Sequence, residues 1–173
     1  MAETFTAYYS AVTFAASKNM AAVLNSHASE VLKIRRVGLL NAQTAAVTGV
    51  LCQLEMRAYQ TGSPGLTAPT AVTPVSHDTA NTAPTTAVYG YAGTIAGTPL
   101  TLRRVFWSSD EAAISTATND ELETYVPLNI IFDAGYGDSN VQPLTLRQNE
   151  MALVFNTTGA AGLLDTWIEF TKE

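Results

Sequence analysis

The chain has little of the chemistry on which most catalytic and metal sites depend. Its 173 residues include one cysteine, Cys52, and two histidines, His27 and His77. A single cysteine cannot form an internal disulfide, and with two separated histidines it lacks the ligand spacing of a zinc site. No G-x-S-x-G motif accompanies the histidines that could act as a base. The sequence therefore predicts a protein that is not an enzyme and holds no cofactor or metal.

Two local clusters could suggest otherwise. Ser76-His77-Asp78 contains the residue types of a hydrolase triad, but neighbours in an extended chain project in alternating directions and cannot form a relay. The loop from Asp133 to Asn140 contains two carboxylates and an amide. Its Gly, Asp and Asn residues are typical of a turn, and it lacks the dense alternating acidic ligands of a calcium loop. We therefore assign neither cluster a catalytic or metal-binding role.

Charged residues are also scarce, at 14% of the chain. The surface of a free-standing domain usually carries more charge, so this composition favours a surface that contacts other subunits. An ordinary monomer with a neutral surface remains the alternative. The net charge of −6 argues against nucleic-acid binding, which requires a basic surface.

Long apolar runs are missing as well. No stretch approaches the roughly 18 uninterrupted apolar residues of a membrane helix. The segment Met1–Ser17 contains Glu3 and no basic residues, so we expect no secretory signal and no membrane association.

Alternating apolar and polar residues recur along most of the chain and predict β-strands. The clearest case places Val50, Cys52, Leu54, Met56 and Ala58 on one face of a strand, with Cys52 buried and inert. Similar patterns predict strands at 20–24, 32–40, 88–91, 100–107, 125–132, 144–147, 151–155 and 164–170. In the segment 125–132 the pattern predicts that Val126, Leu128, Ile130 and Phe132 face the core. In the last segment it places Leu164, Ile168 and Phe170 on the apolar side.

Residues 61–86 differ from the rest, since Pro64, Pro69, Pro74 and Pro84 exclude a regular central strand. Many short strands with uneven connections predict an all-β, antiparallel β-sandwich of jelly-roll type, with an immunoglobulin-like sandwich as the alternative. We expect residues 1–17 to form an N-terminal arm. Residues 18–173 would form a single β-sandwich domain whose long Pro/Thr-rich connection spans 61–86.

Partner contacts are expected mainly in that arm and in the connection, the two segments that the pattern leaves free. The residues assigned to partner binding are aromatic or basic: Tyr8, Tyr9, Phe14, Arg35 and Arg103. For Arg35-Arg36 and Arg103-Arg104, pairing with acids on neighbouring strands is the alternative. If the domain instead binds carbohydrate, Tyr136 and Trp167 are the candidates for stacking on a sugar.

Several segments of the chain also resemble a known group of proteins. They are 17–20, 23–25, 31–36, 41–50, 72–78, 103–111 and 142–147. In these segments the chain resembles small virion-associated proteins encoded near the capsid genes of tailed bacteriophages. None of the segments is a catalytic signature.

The resemblance implies a non-enzymatic structural protein of jelly-roll type. It would be a decoration or cement protein on the phage head, made in the host cytoplasm and located in the virion. Its partners would be the major capsid protein or other virion proteins, and it would act as a homo-oligomer, with a trimer favoured. A carbohydrate- or receptor-binding module of the head or tail is the alternative.

Overall fold

The computed structural model describes residues 3–42, 51–60, 64–108, 128–135, 141–158 and 162–173. Strands dominate these residues because apolar and polar side chains alternate along them and one face of each strand can be buried. In chain order the strands are β1 (Glu3–Thr13), β2 (Lys18–Asn25), β3 (Leu32–Asn41), β4 (Leu51–Tyr59), β5 (Gly65–Thr67), β6 (Thr70–Ala71), β7 (Val75–Ser76), β8 (Val88–Tyr91), β9 (Thr94–Ala96), β10 (Leu100–Ser108), β11 (Leu128–Asp133), β12 (Leu144–Leu146), β13 (Glu150–Asn156) and β14 (Leu163–Lys172).

The strands form two antiparallel sheets that pack face to face. In sheet A the order is β11-β3-β14-β1-β7, with β12 beside the start of β3. In sheet B the order is β10-β4-β13-β2-β8-β6. Most of the consecutive long strands alternate between the two sheets. The first and last strands, β1 and β14, are neighbours in sheet A.

This strand order is that of a jelly roll. If the eight principal strands β1, β2, β3, β4, β10, β11, β13 and β14 are numbered one to eight, the sheets have the orders 1-8-3-6 and 2-7-4-5. Two intertwined Greek keys produce this arrangement. The predicted antiparallel sandwich of jelly-roll type is therefore confirmed over the immunoglobulin-like alternative.

The core lies between the two sheets. Its centre is a stack of three rings in which Phe170 lies 5.5 Å from both Phe5 and Tyr89, with interplanar angles of 21° and 18°. Phe5 and Phe170 belong to sheet A and Tyr89 to sheet B, so the stack joins the sheets. The predicted inward faces of β4 and β14 are confirmed for the described residues, because Cys52, Leu54, Met56 and Ala58, and also Leu164, Ile168 and Phe170, are buried. Val50, predicted on the same face, lies outside the described residues.

A second, smaller apolar cluster covers part of the outer face of sheet B. Strands β5 and β9 form a two-stranded sheet, and Leu66 and Ile95 of this sheet pack on the cluster. The cluster itself consists of Ala22, Leu24, Tyr59, Met151 and Leu153. This part of the outer face of sheet B is therefore shielded from solvent.

The expectation of an N-terminal arm over residues 1–17 is wrong. Residues 3–13 form β1, which pairs along its length with β14 and at Phe5 and Thr6 with β7. Local alternation cannot reveal this pairing, because β14 lies about 160 residues later in the chain. Residues 3–13 are therefore hydrogen-bonded into sheet A and do not form an arm that reaches a neighbour.

The Pro/Thr-rich connection is not free either. It holds the short strands β5, β6 and β7, and it passes from sheet B at β6 to sheet A at β7. Its three short strands each begin just after a proline, and none is a central strand, as the prolines predicted. The connection therefore closes one side of the sandwich.

The inward face predicted for β11 is wrong at Ile130, which is 38% exposed, whereas its neighbour Ile131 is buried at 1% exposure. Phe132, also predicted to face the core, is half-buried and packs against it, so the prediction is confirmed there. The cause is an irregularity in the pairing with β3 between Ile130 and Phe132, where an extra residue is inserted. Of the other predicted residues, Val126 and the side chain of Leu128 lie outside the described residues.

Candidate functional site

The two sides of the sandwich differ in how they are closed. The connection covers the side where β6 and β7 lie, while β10 and β11 are the outermost strands of sheets B and A on the other side. Arg103 of β10 reaches across and donates a hydrogen bond from Nη1 to the carbonyl oxygen of Ile131 at 2.9 Å. In the described part of the chain, no strand pairs with the outer edge of β10.

Large apolar side chains are exposed along this edge. Leu100, Leu102 and Phe106 of β10 are 51%, 46% and 66% exposed, and Val141 is 55% exposed. We call these four residues the apolar edge. An unpaired strand with exposed apolar side chains is a ready surface for association with another protein.

A cleft of about 680 Å³ opens beside the apolar edge. Leu102 and Arg103 line it from β10, Phe132 and Asp133 from β11, and Val141 from the segment before β12. The cleft therefore lies between β10 and β11, the outermost described strands of the two sheets on this side. Its walls offer apolar, cationic and anionic groups to a partner.

A buried ion-pair network holds β10 on sheet B. Glu55 of β4 is 3% exposed, and its Oε1 accepts hydrogen bonds from Nε and Nη2 of Arg104 at 2.9 and 2.5 Å. Its Oε2 accepts a hydrogen bond from Nε of Arg57 at 2.8 Å. The guanidinium of Arg57 in turn lies 3.8 Å above the ring of Phe155. This network fixes the edge strand that presents Phe106.

A second exposed surface crosses the outer face of sheet A. Tyr8, Trp167, Gly38 and Ile130 are register partners on β1, β14, β3 and β11 in that order. We call this row the aromatic strip. Tyr8 is 44% and Ile130 38% exposed, and Trp167 is half-buried. Neighbouring strands are about 4.8 Å apart, so the strip is about 14 Å long.

Gly38 allows the indole of Trp167 to lie flat on the sheet. A Cβ at position 38 would come within 2.0 Å of Cζ2 and 2.3 Å of Cε2 of the Trp167 ring. The ring therefore occupies the space above the glycine, with one face on the backbone and the other directed away from the sheet. No residue other than glycine can stand at position 38 unless the indole moves.

Asp165 holds the other ring of the strip in place. Its Oδ2 accepts a short hydrogen bond from the hydroxyl of Tyr8, and its Oδ1 accepts one from the backbone N–H of Ala11 at 2.5 Å. The hydrogen bond to Asp165, together with burial and the charge of Asp165, raises the pKa of Tyr8 to about 12. Tyr8 is therefore neutral and fixed at physiological pH.

A polar row runs beside the aromatic strip. Thr6, Glu169, Arg36 and Asp133 are register partners on the same four strands. The guanidinium of Arg36 lies 3.2 Å from Oδ2 of Asp133 and 3.8 Å from Oε2 of Glu169. At the end of the row, Oγ1 of Thr6 is hydrogen-bonded to Nε2 of His77 at 2.7 Å. The strip thus has hydrogen-bonding groups along one border and Asp165 along the other.

The five residues predicted to bind partners are not brought together. Tyr9 and Phe14 are 0% and 6% exposed, so their assignment to partner contact is wrong. Tyr9 faces the core from the inner strand β1, and its hydroxyl donates to the carbonyl of Ala22 at 2.7 Å. An alternating strand pattern cannot distinguish an aromatic residue of an arm from one of an inner strand.

The other three lie at separate places. Tyr8 is exposed in the aromatic strip and Arg103 on β10, which leaves partner contact a prediction for both. Arg35 pairs with Glu173 at 3.7 Å and donates from Nε to Thr171 Oγ1, as the alternative of cross-strand pairing predicted. Of the two stacking candidates, Trp167 is in the strip, and Tyr136 lies outside the described residues.

The sequence patterns did not identify four residues of these surfaces: Gly38, Asp165, Leu102 and Phe106. The pattern showed Leu102 and Phe106 only as members of a strand, because whether a strand is central or at an edge depends on its partners. A glycine within the apolar alternation of β3 was a usable signal, since glycine in a strand often marks close approach of another group.

The side chains of Ser76, His77 and Asp78 make separate contacts. Ser76 Oγ donates to the carbonyl of Asp78 at 2.6 Å, and Oδ1 of Asp78 accepts from the N–H of Ala80. His77 instead contacts Thr6. Among the described residues, no group of three or more His, Cys, Asp and Glu side chains could hold a metal ion. Those residues also include no helix long and apolar enough to cross a membrane.

Cys52 gives a direct test of the inner face of β4. It is a free cysteine with 0% exposure, and burial raises the pKa of its thiol to about 11. Because the thiolate is the reactive form, we expect negligible labelling of the native protein by a thiol reagent at pH 8 and complete labelling in denaturant. Rapid labelling of the native protein would show that this face is accessible.

Comparisons of the chain with protein-family models, with curated proteins and with solved structures find no match.

Proposed function

We propose that this protein is a non-enzymatic structural protein of a tailed-phage virion. It acts as a decoration or cement protein that binds the outer surface of the head through its apolar edge. The observation that carries this proposal is the exposure of Leu100, Leu102 and Phe106 on a strand edge that no described strand covers. The jelly-roll architecture and the resemblance of the sequence segments support the phage assignment.

The physical basis of the binding is the removal of apolar surface from water. Full burial of a large apolar side chain contributes roughly 1.5–3 kcal/mol, so three partly exposed ones give a modest contact. A head surface repeats that contact many times. If the protein is itself an oligomer, several modest contacts act together and the second contact becomes intramolecular. Arg104 beside Phe106 places a cation at the same edge, where it can face an acidic surface.

The binding test uses undecorated heads of the phage that encodes the protein. Phe106→Asp and Leu102→Asp place a charge at exposed positions, so the fold should remain and binding should weaken by at least about tenfold. The matched control is Val75→Asp, because Val75 is 66% exposed on β7 at the opposite side of the sandwich. Bound copies per head are measured by sedimentation, and thermal unfolding of each variant checks its fold.

Two results would contradict the proposal. The first is a wild-type protein that does not bind the heads at all. The second is equal loss of binding in Val75→Asp and Phe106→Asp, which would place the contact away from the apolar edge.

The oligomeric state is a separate part of the proposal. We expect light scattering to give a trimer of the 173-residue chain. A trimer matches the three-fold positions of a head lattice, at which all three copies meet equivalent surfaces. A strict monomer at the concentrations used for binding would rule out the trimer and leave only the single-copy contact.

A further inference from the structure

The aromatic strip has a different shape from the apolar edge, because it is flat. The indole of Trp167 lies against the backbone at Gly38, where even a methyl group would come within 2.0 Å of the ring. Tyr8 and Ile130 continue the surface on either side of it in the same row. A planar ring that lies parallel to the sheet offers its face, and not a protruding edge, to a ligand.

The strip is also fixed before any ligand arrives. Asp165 accepts hydrogen bonds from the Tyr8 hydroxyl and from the N–H of Ala11, so both of its carboxylate oxygens are already used within the protein and the Tyr8 ring is held in place. Trp167 extends from β14, which is paired on both sides by β1 and β3. Binding to such a surface requires little ordering of side chains, which lowers the entropic cost.

The borders of the strip are polar. Thr6, Glu169, Arg36 and Asp133 form the neighbouring row, and Arg36 links the two carboxylates at 3.2 and 3.8 Å. An apolar strip with hydrogen-bonding groups beside it matches a sugar ring, whose C–H face is apolar and whose hydroxyls project at its rim. Aromatic side chains with polar neighbours are the usual means of orienting such a ligand.

The same borders argue against a second protein as the ligand. A stable protein interface buries about 800 Å² on each partner and has few charged residues at its centre. The strip is one residue wide and has charged groups beside it, so an interface of that size would bury the carboxylates of Glu169 and Asp133, whose side chains are 19% and 44% exposed. A narrow linear ligand fits the strip without covering those charges.

Charge selects among sugars. The residues that border the strip include Asp133, Asp165 and Glu169 against one cation, Arg36. A glycan with carboxylate or sulfate groups would be repelled by this excess of negative charge.

We infer that the outer face of sheet A binds a neutral oligosaccharide, whose sugar rings stack on Trp167 and Tyr8 along the aromatic strip. This activity is independent of the attachment proposed for the apolar edge, because the two surfaces lie on different sheets. A head-bound protein with this face outward would give the particle a glycan-binding surface.

The test is titration of the full-length protein with cellohexaose, chitohexaose and mannohexaose as neutral probes, and with a hexamer of galacturonic acid as the acidic probe. Calorimetry and the fluorescence of tryptophan report binding. We expect saturable binding of at least one neutral probe, and binding of the acidic probe at least about tenfold weaker. If none of the neutral probes binds, or if the acidic one binds best, the inference is overturned.

Variants locate the binding. Trp167→Ala removes the platform, and Gly38→Ala displaces the indole while keeping it in the chain, so both should weaken binding by at least about tenfold. Tyr8→Phe keeps the ring and should retain most of the affinity. Phe106→Ala is the control on the other sheet and should bind the probe normally. Equal binding by Trp167→Ala and wild type would overturn the inference.

A subunit interface at the same place would give a different result. In that case Trp167→Ala would dissociate the oligomer, as measured by light scattering, and would leave the affinity for sugar unchanged. That result would contradict the inference. Loss of sugar binding in Trp167→Ala with normal attachment to heads would support it. Failure of Phe106→Asp to attach, with normal sugar binding, separates the two activities.

Discussion

Phe170→Ala is expected to lower the free energy of unfolding by about 3–5 kcal/mol. Phe170 has 0% exposure and stacks between Phe5 of its own sheet and Tyr89 of the facing sheet, at 5.5 Å from each. The variant loses the buried ring and leaves a cavity where the two sheets meet. Domains are stable by only about 5–15 kcal/mol, so this loss is a large share of the total. Equilibrium unfolding in urea measures it.

Phe106→Ala is the matched control, since it makes the same change at a side chain that is 66% exposed. We expect it to change the stability by less than about 0.5 kcal/mol. If Phe170→Ala does not fold, Phe170→Leu fills part of the site and should lose less. Similar losses for Phe170→Ala and Phe106→Ala would contradict the placement of the core.

Glu55→Gln is expected to lower the free energy of unfolding by about 1.5–3 kcal/mol. The carboxylate of Glu55 is 3% exposed and accepts hydrogen bonds from both Arg57 and Arg104. The amide keeps the volume but removes the charge, so two guanidinium groups lose their partner. The side chain of Arg104 is 55% exposed and can turn to solvent, which keeps the loss below that of a fully enclosed pair. Denaturant unfolding at neutral pH measures the difference.

The same network makes stability depend on pH. Burial alone would raise the pKa of Glu55, but the hydrogen bonds and charges of Arg104 and Arg57 outweigh it and hold the pKa below its ordinary value of 4.5. A carboxyl group whose pKa is lowered by folding contributes stability above its unfolded pKa and loses it as the pH falls through the folded one. The stability gap between wild type and Glu55→Gln should therefore shrink below about pH 4.5.

The control for this effect is Glu173→Gln. Glu173 pairs with Lys33 and Arg35 at the surface, and its side chain is 42% exposed. A surface pair of this kind contributes about 0–1 kcal/mol. A pH-independent gap for Glu55→Gln, or an equal gap for Glu173→Gln, would show that the Glu55 network is not the source.

The candidate surfaces could be predicted only in part. The sequence marked Trp167 as a stacking candidate and Arg103 as a partner residue, because aromatic and basic side chains in strands are recognisable as types. The strip itself required the alignment of β1, β14, β3 and β11, whose members come from both ends and the middle of the chain. The sequence offered pairing of Arg35 with an acidic residue on a neighbouring strand as an alternative, but it could not identify Glu173 as that residue.

The sequence by itself determined that this is an antiparallel β-sandwich, that Cys52, Leu54 and Met56 face inward, and that the proline-rich segment contains no regular central strand. Those features follow from local rules, since alternation fixes the two faces of a strand and proline cannot donate to a ladder. Only the tertiary structure decided that the sandwich is a jelly roll, that β1 is paired into sheet A, that Ile131 takes the place of Ile130 in the core, and that no described strand pairs with the outer edge of β10. Each of these depends on hydrogen-bond partners and register set by residues far away in the chain, and a local pattern of two-residue period does not contain that information.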